Sequence, residues 1–375
     1  MHQNLAVILK AFAFKLLNNP EIRFMQVDTI IVGQGICGTF LSWNLKKAGQ
    51  KVLVIDTSNP FSSTKLASGV INPVTGRRIV RTWEIEKLLP FALTNYSSLG
   101  NELGIDLIRQ CNILDFHPTP QMELAFRERS LVETEYLREP ENADHWKQYF
   151  NYPFGIGEIN PCLLIDLNAM LAAWRKQLLL ENALIEMKFT FQDFSVTKDQ
   201  VQFQGITAKQ IIFCEGTGDV ENPYFHLLPF ARNKGEVIIA SIPDLSRKNI
   251  YKQGINLVPW KDDLWWIGST YEWKFNDLAT TDAFLQKTKL QLNHWLKLPY
   301  EILDHYASER PATIERRPFI GFHPIHQNIG LFNGMGTKGC SLAPYFAAQF
   351  AASILNNVPL DPLIDISRFK KILSS

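Results

Sequence analysis

The sequence predicts an α/β fold (α+β overall), in which a parallel α/β lobe is interleaved with a mainly antiparallel β lobe. Three observations lead to this prediction: a β-α-β pattern early in the chain, a strand-and-turn pattern over residues 235–270, and a late strand that runs into a glycine-rich loop and a helix. A chain of 375 residues is long enough for two or three domains or lobes. Hydrophobic residues make up 46% of it, which is enough for sizeable cores.

The β-α-β pattern supports the parallel lobe. Residues 27–32 form a short apolar run with β-branched residues, typical of a strand that is buried on both faces. After the glycine-rich segment 33–38, apolar residues recur at helical spacing as far as Gly49. A second buried strand over residues 51–55 ends at Asp56. Strands connected in this way are parallel neighbours in an α/β sheet.

The later elements alternate between both lobes. Residues 81–155 have helical periods but no β-α repeat, and residues 235–270 have short strands separated by turns, as in an antiparallel sheet. Pro344 is predicted in the first turn of the last helix, where proline is tolerated. Helices are predicted at 163–180, 279–296 and 342–356, and further strands at 184–191, 201–203, 210–214 and 329–332.

The segment Gly33-Gln34-Gly35-Ile36-Cys37-Gly38 has the G-x-G-x-x-G pattern of a dinucleotide site. The first glycine permits the tight turn, the second lets the backbone approach a pyrophosphate, and the third allows close packing of helix on strand. The N–H groups and the positive dipole end at the helix start attract the phosphates. Asp56, 23 residues after Gly33, is placed to accept hydrogen bonds from ribose hydroxyls and would repel the additional phosphate of NADP. The motif by itself does not separate FAD from NAD.

Four further blocks resemble the D-amino-acid oxidase superfamily, which includes glycine oxidase and sarcosine oxidase. They are Thr64-Lys65-Leu66-Ala67-Ser68-Gly69-Val70, residues 211–218, residues 310–321, and Gly336-Thr337-Lys338-Gly339 with the following residues as far as Pro344. The resemblance implies a Rossmann-like FAD-binding lobe and a β substrate lobe. It assigns residues 26–80, 158–225 and 311–375 to the FAD-binding domain, residues 81–157 and 226–310 to the substrate domain, and residues 1–25 to an extension.

The resemblance also implies which residues bind FAD. Ser308 stands where sarcosine oxidases carry the cysteine that attaches the flavin, so the expected attachment is non-covalent, although the nearby Cys340 leaves this point open. In the family the late glycine-rich loop lies beside the flavin ring, where negative charge develops as the flavin accepts hydride. The expected FAD-binding residues are Gly33, Gly35, Ile36, Cys37, Gly38, Asp56, Thr57, Thr64, Lys65, Ala67, Ser68, Gly69, Gly216, Thr217, Gly218, Gly334, Gly336, Thr337, Lys338 and Gly339.

Arg310 occupies the position at which the family places an arginine against the substrate carboxylate. A planar guanidinium binds a carboxylate through two parallel hydrogen bonds, and this contact fixes the α-carbon for hydride transfer to flavin N5. The implied activity is oxidation of the C–N bond of an amino acid or an N-substituted glycine. No acid or base residue is required for it. The electron acceptor is oxygen or a redox carrier.

Two alternatives remain open from the sequence. Local motifs around residues 67–69, 268–272 and 336–339 resemble the FAD domain of the bifunctional enzyme that modifies the wobble uridine of tRNA, and Arg77, Arg78 and Arg81 form a basic cluster. Transfer RNA is therefore the second choice of partner. The other alternative is a non-catalytic flavoprotein.

Charge and cysteine content narrow the classes of protein to which this chain can belong. The formal net charge of +1 provides no general attraction to nucleic acid or anionic membrane. Five widely spaced cysteines without a C-x-x-C pair indicate reduced thiols and a cytoplasmic protein, and no cysteine or histidine spacing suggests a metal site. Residues 5–17 are too short and too charged to span a bilayer, so no transmembrane segment is expected. The role of residues 1–24 stays open between a non-essential extension and an amphipathic helix.

Overall fold

The computed structural model describes residues 25–76 and 78–374, and for Asp219 and Val220 it describes the backbone only. The predictions for residues 1–24 and for Arg77 lie outside this part of the chain. Within it, no helix is long and apolar enough to cross a membrane.

The helices are α1 Ile36–Lys47, α2 Ile85–Leu103, α3 Pro120–Ser130, α4 Leu167–Leu180, α5 Asp282–Trp295, α6 Gly339–Asn356 and α7 Lys370–Leu373. The strands are β1 Gln26–Val32, β2 Val52–Ile55, β3 Val70–Ile71, β4 Val74–Thr75, β5 Val80–Arg81, β6 Ile108–Gln110, β7 Ile113–Phe116, β8 Leu137–Arg138, β9 Ile156–Ile159, β10 Leu163–Ile165, β11 Leu184–Ile185, β12 Phe194–Val196, β13 Val201–Phe203, β14 Ile206–Phe213, β15 Asn233–Ser241, β16 Ile250–Gln253, β17 Ile255–Pro259, β18 Leu264–Gly268, β19 Glu301–Arg310, β20 Phe319–Phe322 and β21 Ile329–Asn333.

The chain forms two compact units, and each is built from separate segments of sequence. Among the described residues, the first contains 25–64, 168–232 and 310–374, and the second contains 65–76, 78–167 and 233–309. Residues 65–80, which the sequence analysis places with the FAD-binding lobe, fall in the second unit.

The first unit is built on a sheet in which β11, β2, β1, β14 and β21 are parallel neighbours. The hairpin β12–β13 and the strand β20 extend this sheet in antiparallel fashion. Its central strands are apolar on both faces because helices or further chain cover both sides: Ile30, Ile31, Ile211 and Ile212 have no exposed surface. The predicted β-α-β unit is confirmed as β1, α1 and β2.

The second unit is built on a sheet with the strand order β19-β15-β18-β17-β16-β7-β9-β8. From β15 to β8 the pairings are antiparallel except that of β16 with β7. One face packs an aromatic core that includes Phe116, Phe150, Trp265 and Trp295. The predicted α/β class with a mainly antiparallel second lobe is confirmed.

Three predicted helix starts are wrong, and the first of them is that of α5, which begins at Asp282 rather than at residue 279. Residues 163–165 form strand β10, which lies between β3 and β6, and helix α4 begins only at Leu167. Helix α6 begins at Gly339 rather than at residue 342, so Pro344 lies in its second turn. Proline has no N–H there to donate to the carbonyl of Cys340, which removes one hydrogen bond of the helix.

Candidate active site

The first glycine-rich turn joins β1 to α1 and has no room for side chains. Gly33 has φ of +100°, and a Cβ atom on it would lie 2.5 Å from the carbonyl oxygen of Cys214. A Cβ atom on Gly38 would lie 1.9 Å from the carbonyl oxygen of Gly33. The cap residue of α1 is Gly35, so the cap residue itself places no side chain over the start of this helix. The turn therefore has the close packing of helix on strand that a pyrophosphate-binding turn requires.

Thr64 lies at this turn, as a site residue should. Its Oγ1 accepts a hydrogen bond of 3.2 Å from the backbone N–H of Ile36, the first residue of α1. A Cβ atom on Gly35 would lie 3.3 Å from the same oxygen. The structure thus brings together predicted residues that are almost 30 positions apart in sequence.

Asp56, at the end of β2, is held by several donors. Its Oδ1 accepts from the backbone N–H of Gln34 at 2.9 Å, and its Oδ2 accepts from the backbone N–H of Ser58 at 2.7 Å. Arg175 of α4 donates to Oδ2 at 2.8 Å. Arg175 was missed by the sequence analysis, because nothing in its local sequence distinguishes it from a surface residue of α4.

The second glycine-rich segment, residues 216–218, follows β14. The third, residues 334–339, follows β21, the next parallel strand. Asn333 joins them: its Nδ2 donates to the carbonyl oxygen of Gly216 at 2.7 Å, and its Oδ1 accepts from the N–H of Gly334 at 2.8 Å. This side chain is almost completely buried. Asn333 is a second residue that the sequence analysis missed.

The starts of the two site helices are neighbours. A Cβ atom on Gly339, the first residue of α6, would lie 3.5 Å from the side chain of Ile36, the first residue of α1. The third loop needs glycine at Gly334 and Gly336, where φ is +81° and +55°. Two helix N-termini thus face one region of the first unit, and both favour negative charge there.

Glu215 directly precedes the second glycine-rich segment, and the pKa of its carboxyl group is unusual. Burial raises its pKa to about 7, and the hydrogen bond of 3.0 Å from Asn222 only partly offsets this effect. Cys340 in α6 is buried as well, and burial raises the pKa of its thiol to about 12. This thiol is therefore neutral at physiological pH, which disfavours its use as a nucleophile toward the flavin.

The loop 65–70 is fixed within the second unit. Trp266 donates from its indole Nε1 to the carbonyl oxygen of Leu66 at 2.9 Å. Gly69 has φ of +79° and accepts a hydrogen bond of 2.9 Å from the N–H of Ile165, and a Cβ atom on it would lie 2.1 Å from the Ile165 carbonyl oxygen. Trp265 and Trp266 are buried, whereas Tyr271 is exposed.

Arg310 is the last residue of β19, and the chain after it contacts the third loop. The N–H of Gly336 donates to the carbonyl oxygen of Pro311 at 2.9 Å. A Cβ atom on Gly336 would lie 3.4 Å from that of Ala312. The backbone next to Arg310 is thus tied to the loop that the resemblance places beside the flavin.

In the basic cluster, the charge of Arg81 is already paired with carboxylates and is not available to a nucleic-acid phosphate. Arg81 pairs with Glu86 at 2.6 Å, Glu133 at 2.7 Å and Glu135 at 3.3 Å. Arg78 is exposed. Across the described residues, no group of three histidine, cysteine, aspartate or glutamate side chains is placed to hold a metal ion.

Known proteins resemble this chain along nearly its whole length. Glycine oxidase of Pseudomonas putida is 24% identical over 365 residues, which cover 91% of this chain and 97% of that protein. Among solved structures, iminodiacetate oxidase from Chelativorans sp. BNC1 has a TM-score of 0.72 with 18% identity, covering 90% of this chain and 98% of that one. Glycine oxidase from Geobacillus kaustophilus has a TM-score of 0.75 with 15% identity, covering 92% and 98%.

A protein-family comparison matches residues 28–353 to the family described as FAD dependent oxidoreductase (DAO). The matched region includes the three glycine-rich segments and Arg310. The chain belongs to this family and is an enzyme that uses FAD.

Proposed function

We propose that this enzyme oxidises the C–N bond of an amino acid or an N-substituted glycine. The observation that carries the proposal is the position of Arg310, whose neighbours Pro311 and Ala312 contact the third glycine-rich loop. Glycine oxidases and an iminodiacetate oxidase, whose names refer to such substrates, share the fold of this chain over nearly its whole length.

The first unit fits FAD in three respects. The Gly33 turn cannot hold side chains, the N-termini of α1 and α6 lie side by side, and Asp56 provides an acceptor at the end of β2. We assign the pyrophosphate to residues 33–38, the ribose to Asp56, and the flavin side to residues 334–339. Bound FAD supplies the acceptor for the hydride that leaves the substrate carbon.

The residues of the chain bind and orient the substrate. The Arg310 guanidinium binds the carboxylate in two hydrogen bonds, so that the α-carbon is held in one orientation. The helix N-termini stabilise negative charge that develops during the reaction. Attachment of FAD is non-covalent in this proposal, which the neutral Cys340 thiol supports.

A bleaching assay with Arg310 variants tests this function. Under anaerobic conditions, glycine, N-methylglycine, iminodiacetate and amines without a carboxylate are titrated against the flavin absorbance. We expect bleaching by at least one carboxylate-bearing amine. The Arg310→Ala variant then needs about 100-fold more of it, because a charge-assisted bidentate contact contributes about 3 kcal/mol, and Arg310→Lys is intermediate.

The matched control is Arg127→Ala, which removes an exposed arginine from α3 and leaves the titration unchanged. Unchanged bleaching in Arg310→Ala would contradict the carboxylate assignment. A flavin that no amine bleaches would contradict the proposed reaction.

We further propose that the enzyme works in the cytoplasm. The five cysteines are buried reduced thiols, which suits a reducing compartment.

A further inference from the structure

The Arg175 guanidinium donates four hydrogen bonds within the first unit. Its Nε donates to Oε1 of Glu186 at 2.9 Å, and its Nη2 lies 2.8 Å from the same oxygen in an ion pair. Its Nη1 donates to Oε1 of Gln34 at 3.0 Å and to Oδ2 of Asp56 at 2.8 Å. Its Nη2 also lies 3.4 Å from the carbonyl oxygen of Asp56. A guanidinium has five N–H donors, so these four hydrogen bonds direct most of them at protein groups.

The Asp56 carboxylate has most of its acceptor positions occupied. An ionised carboxylate offers about four. The N–H of Gln34 occupies one on Oδ1, and the N–H of Ser58 with Arg175 occupy both on Oδ2. One acceptor position therefore remains, on Oδ1. A ribose hydroxyl can donate to it, whereas a phosphate carries negative charge and would be repelled.

The pair is not an ordinary surface ion pair. The side chains of Arg175 and Asp56 are only 13% and 19% exposed, so water screens their interaction less than it does for exposed pairs. The pair also holds together α4, β2 and the turn after β1, through Gln34. An interaction of this kind determines where the carboxylate lies before a ligand arrives.

We propose that Arg175 is a positioning residue for the adenosine ribose of FAD, which holds the Asp56 carboxylate with one acceptor position open to a ribose hydroxyl. This inference rests on the proposed FAD site and goes beyond it, because it gives the selectivity for an unphosphorylated ribose to a residue that contacts Asp56 rather than the cofactor.

Competition binding to the apoprotein tests the proposal. Recovery of free-flavin fluorescence measures how well ADP, 2′-deoxy-ADP and 3′-deoxy-ADP displace FAD. We expect Arg175→Gln to weaken ADP binding about 10-fold and to weaken the analogue that lacks the contacted hydroxyl much less, because coupled partners give non-additive effects. Binding of FMN, which has no adenosine, stays unchanged.

The matched control is Lys176→Gln, which removes the same charge from the next, exposed residue of α4. Glu186→Gln is a second test variant, because it loosens Arg175 without changing Asp56. The same pattern in both Arg175→Gln and Glu186→Gln supports positioning. An equal loss for ADP, both deoxy analogues and FMN would show a structural role only and overturn the proposal.

Asp56→Asn separates this inference from the site assignment. If Asp56→Asn weakens ADP and Arg175→Gln does not, the Arg175 inference is wrong and the FAD site stands. If neither variant changes ADP binding, the assignment of the ribose to Asp56 is itself wrong.

Discussion

At the scale of the residue, the Glu215 carboxyl makes the stability of the protein depend on pH. Its pKa is raised from 4.5 to about 7, mainly by burial. An acid with a raised pKa in the folded state is neutral there over a range in which the unfolded chain ionises it. The contribution of Glu215 to the free energy of unfolding therefore falls as the pH rises from about 4.5 to about 7. Above that range this contribution changes no further.

We expect Glu215→Gln to remove this dependence. At pH 8 the variant is more stable than the parent by about 1–3 kcal/mol, since each unit of pKa shift corresponds to about 1.4 kcal/mol. Near pH 4.5 the two are equal. Urea unfolding at both pH values measures the difference.

Asp199→Asn, on the exposed turn between β12 and β13, is the control and shows no such difference. Equal stability of Glu215→Gln and the parent at pH 8 would contradict the assignment.

Some residues of the candidate site have a signal in the local sequence, and others have none. Gly33 and Gly38 stand out because the geometry of one short turn demands them. Asn333 and Arg175 act on groups 117 and 119 positions away, at Gly216 and Asp56. Such roles exist only after distant strands have paired, and a local pattern contains no signal for them.

At the scale of the element, helix α5 has an unusual cap. Thr281 accepts from the N–H of Phe284 at 3.3 Å and donates from Oγ1 to Glu236 at 2.8 Å. Glu236 is fully buried, and its Oε2 lies 2.8 Å from Nε2 of His305 in β19. The cap thus connects α5 to a buried carboxylate and to the strand that ends at Arg310.

We expect Thr281→Ala to cost more stability than an ordinary cap deletion. Thr119 is exposed and caps α3 in the same way, by accepting a hydrogen bond of 3.3 Å from the N–H of Met122. Thr119→Ala is therefore the matched control, with an expected cost of about 1 kcal/mol. Thr281→Ala also removes a partner of buried Glu236, which raises its cost to about 2–4 kcal/mol.

Urea unfolding of both variants measures these costs. Equal costs would show that the contact with Glu236 contributes nothing.

Element boundaries were harder to predict than element types. Residues 163–165 are apolar and lie next to further apolar residues, and a short buried strand has no period that separates it from a buried helix. The split between β10 and α4 comes from pairing with β3 and β6, which is a tertiary property. Helix α6 begins three residues before its predicted start, at Gly339. Gly339 lies next to Ile36, so this boundary too is associated with a tertiary contact.

At the scale of the whole molecule, the two units share a discontinuous chain. The resemblance to the D-amino-acid oxidase superfamily assigns residues 65–80 to the FAD-binding lobe. In the structure, the bonds from Trp266 to Leu66 and from Ile165 to Gly69 tie this segment to the second unit. The fold class was predictable from local periodicity, whereas the grouping of residues 65–80 depends on contacts between distant segments.

Charge distribution bears on the tRNA alternative. The net charge is +1, and three carboxylates surround Arg81. We expect tRNA to bind no more tightly than a non-specific ligand, with a Kd of about 10⁻⁴–10⁻⁶ M at physiological salt. Fluorescence polarisation with labelled tRNA at two salt concentrations measures this.

Tight, salt-dependent binding that Arg78→Ala abolishes and Arg127→Ala retains would instead favour the nucleic-acid alternative. Both arginines are exposed, so the two variants remove the same charge from different surfaces.

The position of β21 has a consequence for biosynthesis. This strand lies beside β14 in the first sheet, yet more than 100 residues, including a large part of the second unit, separate the two in sequence. A nascent chain on the ribosome therefore presents β14 with an unpaired edge until residues 329–333 emerge. The third glycine-rich segment follows this strand directly, so we expect cofactor capture to be a late event in the maturation of the protein.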